Sequence, residues 1–400
     1  MTGPVSADRQ YAVDRLRGFA VFAVLIVNTP FLITSVSGAT PASMPTGWDQ
    51  AAGYITWALF QAKSYVIFSF LFGYSLVIFL ERASAKGMDG RRAYRQRLVA
   101  LALIGALHAV LLFVGDILVL YALLGTTLIL LRHRSDKFLL RLAAVLFACQ
   151  ILILGTVLTL TTTVAAGSGE TLTGDITAID RSWGEDAFFA ATLTRLQVWP
   201  YAFVLIVIVQ GLIVMALFCV GIVAGRRRWL ADPHNNRGAL RRVRLWGLLL
   251  GLPPSLVGAA LVVFTPDAGG GMGITGGLVL IYLTAPAASA GYIATIALLP
   301  RRGIARVFET DGTMSLTLYI GESLVMTTLA AGWGFGLFGM NTGPALLVAV
   351  AVWAGLSIGA WLWHRRFSTG PAESVLRTLT YAGIKRRPVP QSPASETLSG

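Results

Sequence analysis

His108, Asp116 and Tyr121 bring three proton-handling side chains within fourteen residues of an otherwise apolar stretch. Of the four histidines (108, 133, 234, 364), only His108 falls inside a long apolar run; the others sit in or beside basic segments. An imidazole near a carboxylate suits general acid/base chemistry, because the carboxylate fixes the tautomer and stabilises the imidazolium. A helix-packing histidine donating to a backbone carbonyl is the other reading. A second set, Asp311, Ser315, Tyr319, Glu322 and Met326, is spaced four, four, three and four apart, which predicts one helical face. Glu322 then either pairs with Lys63, the nearest cation in depth, or stays neutral, and such a pair reads equally as catalysis, a substrate or proton relay, or helix register. Asn28 and Gln210 are neutral polar companions in other runs. Asp14, Arg15 and Arg17 stand where the first run begins; their guanidinium forks suit a phosphate-bearing donor, although arginine is also expected there from topology alone.

These groups need elements to hold them, and composition says which. Hydrophobic residues make up 55% of the 400, against 13% charged, with a mean hydropathy of +0.70. So few charges cannot cover a soluble globule of this size. Two cysteines exclude a disulfide scaffold, and Cys149 and Cys219 read as small packing residues. No Walker, Rossmann or CxxC motif occurs, and no metal site is expected. Ten runs are long enough to cross a ~30 Å hydrocarbon core. They lie at about 18–36, 53–80, 97–114, 117–132, 138–165, 199–225, 243–264, 275–299, 313–332 and 344–363. All are predicted helical, because backbone in lipid must satisfy its own hydrogen bonds. The fold class is therefore all-α, a polytopic membrane protein.

Basic residues gather in alternate connections: three before the first run, six in 81–97, four in 132–141, seven in 226–244, three in 301–306 and six after 364. The opposite connections hold only Arg181 and Arg195. The positive-inside rule thus places both termini in the cytoplasm, with ten helices as the even number required. The net charge of +13 is accordingly topological, and nucleic acid is not an expected partner. His108, about 10 Å below the end of its run, is expected at the floor of an outward-facing cavity, with Asp116 at a tight outer turn. One membrane domain is expected over 1–387, its halves 1–165 and 199–387 joined by an acidic extracytoplasmic loop at 167–198, with a disordered tail at 388–400. The first run is read as a retained helix, not a cleaved signal, since Asn28 and Pro30 interrupt it and nine runs follow.

Several signatures together resemble the YeiB-type family of bacterial membrane proteins. They are Asp14-Arg15-Leu16-Arg17-Gly18-Phe19-Ala20 with Val24-Leu25-Ile26-Val27-Asn28; Phe68-Ser69-Phe70-Leu71-Phe72-Gly73; and Leu107-His108-Ala109 with Gly115-Asp116-Ile117-Leu118 and Tyr121-Ala122. Toward the C-terminus come Met314-Ser315-Leu316-Thr317-Leu318-Tyr319, Gly336-Leu337-Phe338-Gly339, Gly370-Pro371-Ala372-Glu373 and Leu376-Arg377-Thr378-Leu379-Thr380-Tyr381. The family is more distantly similar to integral-membrane acyltransferases that use cytoplasmic acyl-CoA, including heparan glucosaminide acetyltransferase. In one branch an arginine precedes a histidine on the first helix, at the spacing Arg17 and Asn28 occupy here. Asparagine cannot exchange a proton near neutral pH, so His108 is the remaining base. Glu322 departs from a glutamine common in relatives. Read alone, Glu373 and Arg377 form an i,i+4 pair on a helix begun by Pro371.

The resemblance implies transfer of an acyl group, acetyl by analogy, to a hydroxyl or amine on the far side of a bacterial plasma membrane. The expected roles are His108 as base, Asp116 orienting it, Asn28 or Lys63 at the oxyanion, and Arg15 and Arg17 at the phosphates of acyl-CoA. The acceptor is a small molecule or glycan, and the lipid bilayer is the other partner; homo-oligomerisation is left open. The alternative is a transporter with Lys63, Glu322, His108 and Asp116 as a relay and Tyr121 and Tyr319 beside it, and a third is a structural or sensory protein whose polar residues only specify packing.

Overall fold

The computed structural model describes residues 11–34, 46–168, 177–233, 235–265 and 272–384. The described residues form helices and turns only. In chain order the helices are α1 (Tyr11–Ile33), α2 (Gly47–Ile55), α3 (Lys63–Ala85), α4 (Gly90–Leu111), α5 (Leu118–Leu131), α6 (Asp136–Ser168) and α7 (Thr177–Gly184). There follow α8 (Phe188–Arg226), α9 (Arg237–Phe264), α10 (Met272–Ala297), α11 (Ile304–Thr313), α12 (Ser315–Ala330), α13 (Thr342–His364) and α14 (Pro371–Tyr381). A single π-helical stretch, Thr56–Phe60, joins α2 to α3. The tail from 388 onward lies outside the described residues.

Eight of these segments are long and apolar enough to cross a membrane: α1, the α2–α3 segment, α4, α6, α8, α9, α10 and α13. Two of the ten expected spans fall short. α5 has 14 residues and α12 has 16, or roughly 21 and 24 Å, less than the ~30 Å of a hydrocarbon core. Buried protein surrounds the turn that precedes α5 and the C-terminal end of α12 at Ala330 and Ala331. The turn from 112 to 117 between α4 and α5 is largely buried, with Asp116 at 0% exposure. Irregular backbone at such depth is tolerated only where protein supplies the hydrogen bonds. Arg195 does so, donating from Nε and Nη2 to the carbonyls of Val110 and Leu111, both at 3.1 Å, while Thr327 Oγ1 donates to that of Leu112 at 3.2 Å.

Part of the expected acidic loop is helical as well. α7 covers 177–184, and α8 begins at Phe188, eleven residues earlier than expected, carrying Pro200 inside it. The early start places Arg195 on a helix, where it is 1% exposed and can reach α4. The predicted stripe from Asp311 to Met326 is likewise broken. α11 ends at Thr313 and α12 starts at Ser315, with Met314 (φ −124°, ψ 28°) between them. α11 lies so close to α1 that a Cβ on Gly18 would stand 2.1 Å from the Phe308 carbonyl oxygen, and one on Gly312 only 1.7 Å from that of Asp14. Small residues at this crossing let α1 and α11 approach this closely.

Local chemistry fixes the other starts. Asp89 caps α4 by accepting from the amides of Arg91 (3.0 Å) and Arg92 (3.1 Å). Glu373 of α14 caps α12 instead of pairing with Arg377, accepting from Leu316 N at 2.7 Å, Thr317 N at 3.2 Å and Thr317 Oγ1 at 2.5 Å. A carboxylate at a helix N-terminus meets unsatisfied amides and the positive dipole end, which an exposed i,i+4 partner does not match. α14 thereby holds α12 from the basic end of the bundle.

Candidate functional site

His108 occupies the last turn of α4, Asp116 precedes α5, and Tyr319 lies one turn into α12, so three elements converge on one carboxylate. Oδ1 of Asp116 accepts from the amides of Leu118 (2.8 Å) and Val119 (3.2 Å), capping α5. Oδ2 accepts from the Tyr319 hydroxyl at 3.1 Å and lies 2.9 Å from Nδ1 of His108. That approach is close but not aligned with the ring N–H, and Nε2 has no partner. The His108 and Tyr319 rings lie 4.7 Å apart between centroids, tilted by 34°. All three side chains are buried. Gly105 makes the cluster possible: a Cβ there would stand 2.7 Å from Asp116 Oδ1 and 2.9 Å from Val119 N.

A cavity of about 990 Å³ reaches this cluster. α1, α3, α4, α5, α12 and α14 line it, and its inner end is walled by Ile117, Leu118, Tyr121 and Tyr319. Its other end lies among Arg17, Arg82, Lys86, Arg97 and Arg377. Along α3 the lining runs from Phe68 to Lys86, eighteen residues or roughly 27 Å. The cavity thus approaches His108 from the basic end, with Tyr319 between, and not from the outer side as the sequence suggests. On the opposite side Leu112, Phe113 and Trp183 pack with Leu25, Ile26 and Met326 and close that approach.

The other sequence-derived candidates separate. Arg17 lines the cavity, where Nη2 donates to Ser75 Oγ at 2.7 Å and Nη1 reaches Asp14 at 3.4 Å. Arg15 does not: its Nη1 donates to the Leu299 carbonyl at 2.7 Å and its Nε to Glu309 at 3.3 Å, tying α1 to α11. Two positions apart on a helix, their side chains point about 200° apart, which is why only one of the two faces the cavity. Outside the spans, the same Glu309 holds the Arg301 guanidinium above its usual range by hydrogen bonding. Asn28 is half-buried one turn beyond Val24, the last α1 residue on the cavity wall, and no described contact joins it to His108. Tyr121 is committed to structure, its hydroxyl bonded to the Tyr65 carbonyl at 3.0 Å and Ser69 Oγ at 2.8 Å.

Lys63 and Glu322 do not pair. Lys63 opens α3 after Ala62, whose φ is +64°, on the α10 side, where Ser289 Oγ donates to its carbonyl at 3.3 Å. Glu322 is buried on α12, and both Lys63 Nζ and Glu322 Oε1 are without hydrogen-bond partners. Asp311, expected on the same stripe, instead accepts from Trp353 Nε1 (3.2 Å) and Ser357 Oγ (2.8 Å) of α13. Among the described residues no three His, Cys, Asp or Glu side chains gather as metal ligands.

The sequence reading takes Arg82, Lys86 and Arg97 as topological charge, gives Glu373 and Arg377 to each other, and assigns no role to Arg195 or Gly105. One signal was available: Ser75, Phe79, Arg82 and Lys86 recur at helical spacing on α3, so their shared face could be read.

Fold and site together define a polytopic helical membrane protein with a cavity entering from its basic end. Residues 224–383 match the family described as Protein of unknown function (DUF418). The chain is 28% identical to Uncharacterized protein YxaH of Bacillus subtilis (strain 168), covering 94% of each. It is 26% identical to Uncharacterized protein YeiB of Escherichia coli (strain K12), covering 93% of this chain and 96% of that protein. It is 25% identical to the Uncharacterized 39.9 kDa protein in amylase 3'region of Bacillus acidopullulyticus, covering 94% and 96%. The YeiB-type resemblance carried by the signatures therefore holds along the chain. No solved structure matches. None of these names carries an activity, so function is argued from the site.

Proposed function

We propose that the protein transfers an acyl group from a cytoplasmic acyl-CoA to a hydroxyl or amine of an acceptor. The supporting observation is a cavity that runs from cationic side chains at one end to Tyr319 at the other, and Tyr319 joins the wall to Asp116 and, through it, to His108. A phosphate-bearing head suits the basic end, and a thioester arm suits the apolar part lined by Phe68, Leu71, Phe72 and Leu118. With Nδ1 facing Asp116, the free Nε2 of His108 is the atom that accepts a proton. The acceptor O–H or N–H loses that proton as its heteroatom bonds to the thioester carbon. The C–S bond then breaks, and the proton passes from His108 to the departing thiolate, which restores the neutral imidazole. Tyr319, on the cavity wall, gives its one O–H to Asp116 and so positions the carboxylate that faces His108. Arg15, Asn28 and Tyr121 have no part in this reading.

The test is label transfer in proteoliposomes given acetyl-CoA labelled in the acyl group, with bacterial envelope extract as acceptor. His108→Ala is expected to abolish transfer while thermal unfolding shows a folded protein. Full transfer by that variant, or none by the folded wild type, would overturn the reading.

One observation favours transport as a second reading: Lys63 and Glu322 are buried ionisable groups without partners. Solute flux driven by a pH gradient without any acyl donor, and lost in Glu322→Gln, would support it.

A further inference from the structure

Two features distinguish the basic end of the cavity from a set of topological arginines. The first is the state of its carboxylates. Asp14 and Glu373 are the acidic residues on the cavity wall, set against Arg17, Arg82, Lys86, Arg97 and Arg377. Glu373 is spent on the N-terminus of α12, and Asp14 stands beside Arg17. The second is Arg97 itself. It is half-buried on α4, has no hydrogen bond or ion pair with a described residue, and lies over the Phe79 ring, 5.8 Å from its centroid, with Glu373 acting on it only at longer range. Arg377, four residues beyond Glu373, is likewise left without a partner by the diversion of that carboxylate. Like charges lining one cavity repel each other through protein more strongly than in water, and a multiply charged anion between them removes that cost.

We propose that Arg97, with Arg17 and Arg377, forms a clamp for a polyphosphate group carried by a water-soluble ligand. Guanidinium forks on three different helices, α1, α4 and α14, can surround adjacent phosphates, which a point contact with one monoanion would not require. This deepens the acyl-transfer reading and rests on it for the rest of the ligand: the clamp sets which donors enter, and the apolar passage beyond it takes what hangs from the phosphates. The clamp also bears on the inner end, because α14 supplies both Arg377 and the Glu373 cap of the helix that carries Tyr319.

The experiment uses the full chain purified in detergent, with thermal unfolding as the readout of binding, since a ligand of the native state raises Tm by mass action. The probes are coenzyme A, inorganic pyrophosphate, pantetheine without phosphates, and phosphatidic acid in mixed micelles. Coenzyme A is expected to raise Tm, pyrophosphate to compete with it, and pantetheine to do neither. Arg97→Gln is expected to weaken coenzyme A roughly ten- to hundredfold, Arg97→Lys less, and the exposed neighbour Arg95→Gln not at all. Rising salt weakens the wild-type interaction. Unchanged coenzyme A affinity in a folded Arg97→Gln overturns the clamp, as does pantetheine binding equal to that of coenzyme A. Competition by phosphatidic acid but not pyrophosphate overturns it in favour of a lipid headgroup. Arg97-dependent polyphosphate binding without acyl transfer to any acceptor leaves the clamp standing and defeats the transfer reading. Acyl transfer undiminished in Arg97→Gln does the reverse.

Discussion

The two ends of the cavity differ in how their charges are satisfied. At the inner end one carboxylate, Asp116, meets two backbone amides, a phenol and an imidazole, and is fully buried. At the basic end Arg97 and Arg377 line the cavity with no hydrogen-bond or ion-pair acceptor among the described residues. A buried carboxylate with both oxygens hydrogen-bonded is preorganised and belongs to the fold, because removing it strands buried donors. Cations that lack acceptors cost the fold little to lose and are free to meet a ligand. The contrast separates residues that shape the site from residues that fill it.

Substitutions can break that comparison, and the inner end should give the largest effects. Asp116→Ala removes the cap of α5 and the partner of Tyr319 together, and is expected to cost about 3–5 kcal/mol, seen as a large fall in Tm. Gly105→Ala pushes a methyl into Asp116 and the Val119 amide, with an expected loss of about 2–3 kcal/mol. Arg15→Ala frees the Leu299 carbonyl and Glu309 and should cost about 1–3 kcal/mol without changing ligand affinity. Arg17→Ala, two residues away, should change stability by under about 1 kcal/mol while weakening coenzyme A binding at least roughly tenfold. Equal stability losses at Arg15 and Arg17 would erase the distinction between the two.

The all-helical membrane architecture was legible in the sequence because apolar runs and alternating basic connections follow from the bilayer alone. The nearness of His108 to Asp116 was legible too, since a Gly-Asp turn brings consecutive helices together. Its setting was not. The burial of that turn depends on Arg195, 79 residues further along the chain, and the partnership of Tyr319 on a carboxylate 203 residues away. The Lys63–Glu322 pair failed for the same reason: similar depth in a membrane does not fix which helices face each other. Glu373 paired with α12 and not with Arg377 because a helix terminus outcompetes an exposed neighbour, a choice invisible until α14 is seen beside α12.

The most direct test of the connection between the two ends is photo-crosslinking with a coenzyme A thioester that carries a diazirine at its acyl terminus, followed by peptide mapping. If one cavity holds the donor as described, label falls on Leu118, Tyr121 or Tyr319 in the wild type, is displaced by coenzyme A, and is lost in Arg97→Gln. Label confined to the basic end, or to the lipid-facing helices α6 and α9, would show that the acyl group never reaches His108.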